Sequence, residues 1–171
     1  SGCLCTIRLN QIFRQEAGSL ISINAQRINQ GQMPELESGG IEKGQDFYFI
    51  NRTSPLSTRE AIVEMVTERI PRQFGYNPKK DVQVLCPMIK KDVGVETMNA
   101  VLQEKLNAAE NRFRGPFYSL AAGDKIMQTK NDYDKDVFNG DIGFVQEVDT
   151  EEETVTINFE GRPVHYEKME L

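Results

Sequence analysis

Hydrophobic and polar positions fall into two textures along the chain, one up to residue 107 and another from residue 123 onward. In the first, apolar residues come as short runs and as helical spacings. LCTIRL, residues 4–9, reads as a short strand leading into IFRQ. A helix is predicted over 16–29, where Ala17, Leu20, Ile21, Asn24 and Ile28 share one face and Gly31 supplies a stop. Residues 31–45, rich in Gly, Glu and Ser, read as a loop. DFYFI, 46–50, is a strand too uniformly apolar to have one wet side. Ser57-Thr58-Arg59-Glu60 has the form of a capping box, opening a helix that would bury Ile62, Met65, Val66 and Ile70 until Pro71 ends or kinks it. VQVLCPM, 82–88, suits a buried parallel strand closed by Pro87. A helix over 95–106 then turns Val95, Met98, Val101, Leu102 and Leu106 inward. Strand, helix, strand, helix at this spacing predicts an α/β unit with a parallel sheet and helices on its faces.

Beyond an irregular 108–122 the pattern is β only. Strands are expected near 124–130, 142–148, 154–159 and 163–167, and TVTINF alternates as a half-buried antiparallel strand should. Asn139-Gly140 marks a tight turn, since both residue types tolerate positive φ. Several short strands in so few residues predict a small SH3-like barrel. The expected division is therefore an α/β part at 1–115 and an all-β part at 116–171.

Composition narrows the function. Net charge is −6, which argues against a polyanion binder acting through its whole surface, but the charge is uneven. Residues 66–130 are net basic, whereas 131–171 hold twelve acidic groups against three basic. A local basic face in the middle segment could meet phosphates. No apolar run approaches the roughly 20 residues that span a bilayer, and nothing at the start reads as a signal peptide, so a cytoplasmic protein without membrane partners is expected. Ser1 in place of an initiator methionine leads to the expectation of an excised or processed piece. Cys3, Cys5 and Cys86 lack zinc-site spacing, and His165 is the single histidine, so no metal site is expected. Asp132, Asp134 and Asp136 follow a calcium loop only loosely.

The common catalytic signatures are missing. Gly39 to Gly44 has neither the spacing nor the Lys-Ser/Thr end of a phosphate-binding loop. There is no G-x-S-x-G elbow and no partner set for a hydrolytic triad. The residues alone leave a two-part chain that is not a complete enzyme.

Four ordered blocks add a resemblance. RLNQIFRQ (8–15) precedes SLISINAQRINQGQMP (19–34); RIPRQFGYNPKKDVQVLCPMIKKDVG occupies 69–94; MNAVLQEKLN occupies 98–107; and GDKIMQTKNDYDKDVFNGDIGFV occupies 123–145. Together they resemble the RecD-like ATP-dependent DNA helicases of superfamily 1, the exodeoxyribonuclease V alpha-subunit family, whose members more often carry a glycine near the position of Lys91. The resemblance implies part of the second RecA-like domain over 1–115 and the inserted SH3-like domain over 116–171. It implies a piece of an enzyme that uses ATP and Mg2+ to move 5′ to 3′ on single-stranded DNA in repair and recombination. The first RecA-like domain, with its phosphate-binding loop, and the last helicase motifs would lie elsewhere in the parent. Nuclease-complex subunits are further candidate partners. The piece alone is expected to be inactive and to hold no cofactor.

By the same resemblance Arg14, in IFRQ, takes the place of the arginine that reaches the ATP γ-phosphate. A planar, permanently charged guanidinium suits a transferring phosphoryl group. For DNA, ligands gather at the carboxyl edge of open α/β sheets, which nominates Pro87, Met88, Lys90 and Lys91 for phosphate, sugar or base contacts. Lys130, Asn131 and Asn139 are further candidates. The alternative is a non-enzymatic adaptor whose SH3-like domain binds protein or nucleic acid.

Overall fold

The computed structural model describes residues 18–36, 46–115 and 118–171. The chain divides into two units, Ser1–Arg52 and Thr53–Leu171. The expected strand at 4–9 and Arg14 lie outside the described residues.

In the first unit helix α1, Leu20–Asn29, begins at Ser19, whose hydroxyl accepts from the Ser22 N–H. It ends as a Gly-terminated helix should. Gly31 takes φ +74, Gly31 N donates to Ile28 O at 3.0 Å and Gln32 N to Arg27 O at 2.8 Å, so the last carbonyls are satisfied. The buried Asn24 side chain then clamps the following loop, donating to Glu35 O (3.1 Å) and accepting from Glu35 N (2.7 Å). Arg27 adds bonds to Met33 O and the Glu35 carboxylate. The Asn-Ala and Arg-Ile-Asn positions of the sequence block thus hold their own loop in place.

The second unit opens with α2, Pro55–Glu64. Its capping box uses Ser54 and Ser57, one turn ahead of the expected Ser57–Glu60 box. Pro55 explains the shift: its fixed φ and missing N–H suit the first helical position, so the helix starts there. The chain also passes Pro71 instead of stopping. A π turn, Met65–Arg69, precedes α3, Ile70–Phe74, and Gly75 closes α3 at φ +73. Proline lacks an N–H and its ring crowds the carbonyl four residues back, and a widened turn absorbs that defect. Helix α4, Val95–Leu106, has the predicted bounds, with Met98 fully buried and Val101, Leu102 and Leu106 half-buried. Val95 is 40% exposed, contrary to its expected inward place.

The expected parallel sheet is absent among the described residues: their two sheets are both antiparallel, and neither includes 82–86. Val82, Val84 and Cys86 are half-buried, whereas Leu85 is 86% exposed. A buried parallel strand exists only by virtue of neighbours on both edges and layers on both faces. Apolar composition alone supplies neither.

The β texture folds as expected, and begins sooner. A hairpin of β1, Arg112–Arg114, and β2, Ser119–Ala121, arises from the stretch read as irregular. Strands β3 (Lys125–Met127), β4 (Ile142–Asp149), β5 (Thr154–Phe159) and β6 (Arg162–Glu167) follow as an antiparallel meander in the order β3-β4-β5-β6. On β5, Val155, Ile157 and Phe159 point inward and the residues between are half-exposed, the period-2 pattern of TVTINF. They join Val145, Val148, Val164, Tyr166 and Val137 in one core, which also takes in Phe113 of β1. The core of the β part therefore reaches back across residue 116. Gly143 of β4 sits over Ile157 and Phe159, where a Cβ would lie 2.7 Å from the Ile157 Cγ2.

Candidate nucleic-acid interface

Two groups of the expected DNA residues lie in the second unit. The first is the turn at 87–91. Pro87, Met88, Lys90 and Lys91 are all exposed. The turn owes its shape to the helix after it: Met88 O and Ile89 O accept from the N–H groups of Val95 and Glu96, at 3.0 and 3.1 Å. These are first-turn donors of α4 that have no partner inside the helix. Lys91 O accepts from Gly94 N and from the Thr97 hydroxyl. Gly94 permits the close return, since a Cβ there would fall 2.2 Å from Lys90 O. Lys91 itself has φ +79, the left-handed region that favours glycine. Both ammonium groups are left free of ion pairs among the described residues and can meet phosphate.

The second group is the loop between β3 and β4. Asn131 Oδ1 accepts from Asn139 N (2.9 Å), which joins those two residues, and Lys130, next to Asn131 in the chain, accepts at its carbonyl from the Gln128 side chain (2.8 Å). Gly140, at φ +100, completes the turn predicted at Asn139-Gly140, with Asp141 N donating to Phe138 O. Two aromatic residues that sequence reasoning passed over stand here. Tyr133 is 76% exposed and meets Phe138, 41% exposed, edge to face at 6.0 Å, while Asn131 Nδ2 donates to the Tyr133 hydroxyl. Their signal was aromatic type inside an otherwise polar, turn-forming run. Base stacking on such rings is a common device of single-strand binding. No hydrogen bond or ion pair among the described residues joins this loop to the 87–91 turn.

Charge braces the loop from behind. The Lys135 ammonium donates to His165 O (2.7 Å), lies against the Glu170 carboxylate (3.0 Å) and sits 5.1 Å above the Tyr166 ring. Arg162 donates to Lys135 O and Asp136 O, the latter a residue at φ +52. The Glu167 N–H and the Lys135 ammonium hold the Glu170 carboxyl below its ordinary range. Burial, reinforced by Asp132 and Glu170, pushes the Tyr166 phenol above its own. Asp132 Oδ1 accepts from the N–H groups of Asp134 and Lys135, so it caps a turn instead of reaching outward. Among the described residues no group of three His, Cys, Asp or Glu side chains is placed to hold a metal ion. None of their helices is long and apolar enough to cross a membrane.

Residues 98–159 match the family model of the SH3 domain of ATP-dependent RecD-like DNA helicases. The chain is 31% identical over 166 residues to the ATP-dependent RecD2 DNA helicase of Deinococcus radiodurans, across 97% of this chain and 21% of that protein. It therefore spans about a fifth of the length of this relative. A match running through both textures, with the SH3 domain beginning inside α4, leads to one conclusion: the chain is similar to a segment of the RecD-like DNA helicases and carries the match to their SH3 domain over 98–159.

Proposed function

We propose that this chain is part of an ATP-dependent DNA helicase that moves 5′ to 3′ on single-stranded DNA. It contributes part of the second RecA-like domain, 1–115, and the SH3-like insertion, 116–171. The observation that carries this reading is identity extending over 97% of the chain to a RecD2 helicase. Exposed Lys90 and Lys91 on a turn pinned to α4, and the Lys130-Asn131-Asn139 loop with its exposed ring, are in keeping with a track for phosphates and bases. The sequence offers no loop to cradle a triphosphate, so ATP and Mg2+ would be held mainly by the rest of the parent. This chain's share is the Arg14 guanidinium, which would stabilise charge on the γ-phosphoryl group. Partners are single-stranded DNA, the remaining helicase domains of the parent and, in some assemblies, nuclease subunits.

The test uses the full-length parent. Arg14→Ala is expected to lower DNA-stimulated ATP turnover by roughly 10³-fold or more, as loss of such an arginine does in related nucleotide hydrolases, while leaving DNA affinity unchanged. Near-normal turnover removes Arg14 from the site. Lys90→Ala with Lys91→Ala should weaken binding evenly across sequences and reduce the slope of log K against log salt by about 1–2. The 171-residue chain alone should hydrolyse no ATP. If the parent shows no ATP turnover with DNA present, the adaptor reading replaces this one.

A further inference from the structure

The run Gly123-Asp124-Lys125 takes no part in the interface described above, yet each of its residues grips the segment ahead of the β part. Gly123 O accepts from the Lys79 ammonium at 3.2 Å. Asp124, only 8% exposed, accepts from the Asn107 side-chain amide at 2.7 Å, from the Gln103 side-chain amide, and from Ala121 N at 2.8 Å. The Lys125 ammonium reaches Val82 O at 3.1 Å. Two further bonds tie the ends of the same amides to the barrel, Gln103 Nε2 to Ser119 O (2.7 Å) and Asn107 Nδ2 to Ala122 O (3.0 Å). Apart from the local Ala121 bond, partners 15 to 44 residues apart thus converge on one turn.

The chemistry is that of a latch. An apolar contact between a helix and a barrel tolerates sliding, because dispersion is non-directional. A buried carboxylate with three N–H donors aimed at its two oxygens has one good arrangement. Asparagine would not serve, since its amide would turn one acceptor into a donor facing another donor. Gly123 suits the turn through its backbone: its φ is +85, in the left-handed region that favours glycine.

We propose that Asp124 is a positioning residue, latching the SH3-like part to α4, while its neighbours Gly123 and Lys125 tie the same turn to Lys79 and Val82. It thereby sets where the 130–139 loop stands relative to Lys90 and Lys91. The structural half of this inference is independent of the helicase reading, and its consequence for DNA rests on that reading.

The test is a distance measurement on the 171-residue chain with Cys3, Cys5 and Cys86 replaced by serine. Spin labels go on Glu104→Cys of α4 and Glu151→Cys of the β4–β5 turn, both exposed. The parent-sequence sample should give one narrow distance distribution. Asp124→Ala should broaden it. So should Gln103→Ala with Asn107→Ala, which leaves every barrel residue intact and guards against simple misfolding of the barrel. A distribution that stays narrow in the double variant overturns the latch. In the full-length parent the double variant should keep DNA-stimulated ATP turnover within about twofold, while strand separation per ATP falls about tenfold, a coupling loss of ordinary size. ATP turnover and strand separation falling together would reduce Asp124 to a purely structural role. A wild-type parent without DNA-stimulated turnover would sink the helicase reading and leave the distance result to judge the latch alone.

Discussion

Replacing Gly143 by alanine places a methyl group where the β-domain has no room. Gly143 lies on β4 opposite Ile126, facing β5. A Cβ there would sit 2.7 Å from the Ile157 Cγ2 and 2.9 Å from the Phe159 Cε1, whereas ordinary contact begins at 3.4 Å. The Ile157 methyl group must retreat by at least 0.7 Å to restore ordinary contact. Neither neighbour can do so freely, because Ile157 is 3% and Phe159 5% exposed, each packed in the core. Such overpacking costs about 1–3 kcal/mol, and the rigid branched neighbour argues for the middle of that range, about 2. For a chain of this size that lowers the thermal midpoint by roughly 4–8 °C. Thermal and urea unfolding followed by circular dichroism measure it. The mechanism has its own signature: in an Ile157→Ala background the same glycine substitution should cost less, because the obstructing methyl group is gone. A midpoint unchanged by Gly143→Ala, or strictly additive effects in the double variant, would refute the packing argument.

Lys91 invites the reverse experiment. Lys91→Gly relieves a left-handed φ of +79, worth roughly 1–2 kcal/mol, against a greater entropy loss for glycine on folding, so a net gain of about 0.5–1 kcal/mol in urea unfolding is expected; a loss would mean that the side chain makes a contact of its own. Glu170 predicts a pH effect. Because its folded pKa is depressed, its contribution is fully present above the ordinary value of 4.5 and disappears as pH falls from there through the lowered folded value. Glu170→Gln should flatten that limb of the stability–pH curve, and added salt should shrink the difference, since the carboxyl is solvent-exposed. Unchanged curves would assign the Lys135 brace to its backbone bonds alone.

The sequence by itself determined the elements whose information is local. Helix α4 has the bounds read from its helical spacing, and β5 and β6 follow from period-2 alternation between turn residues. The four ordered blocks were enough for the family resemblance. Three-residue strands such as β1 and β2 carry too little periodicity to be read, and only packing of Phe113 into the barrel core reveals them. The start of α2 moved to Ser54 because Pro55 suits the first helical position, and the π turn before Pro71 belongs to hydrogen-bond register, which composition does not encode. The apolar runs at 46–50 and 82–86 say that a face seeks cover, not which neighbour supplies it. Tertiary structure alone decided which distant groups meet. Asp124 found Gln103 and Asn107, and Lys125 found Val82, because a buried carboxylate or a half-buried ammonium takes whatever partner the fold brings within about 3 Å. That choice depends on the whole chain path and not on any stretch of it.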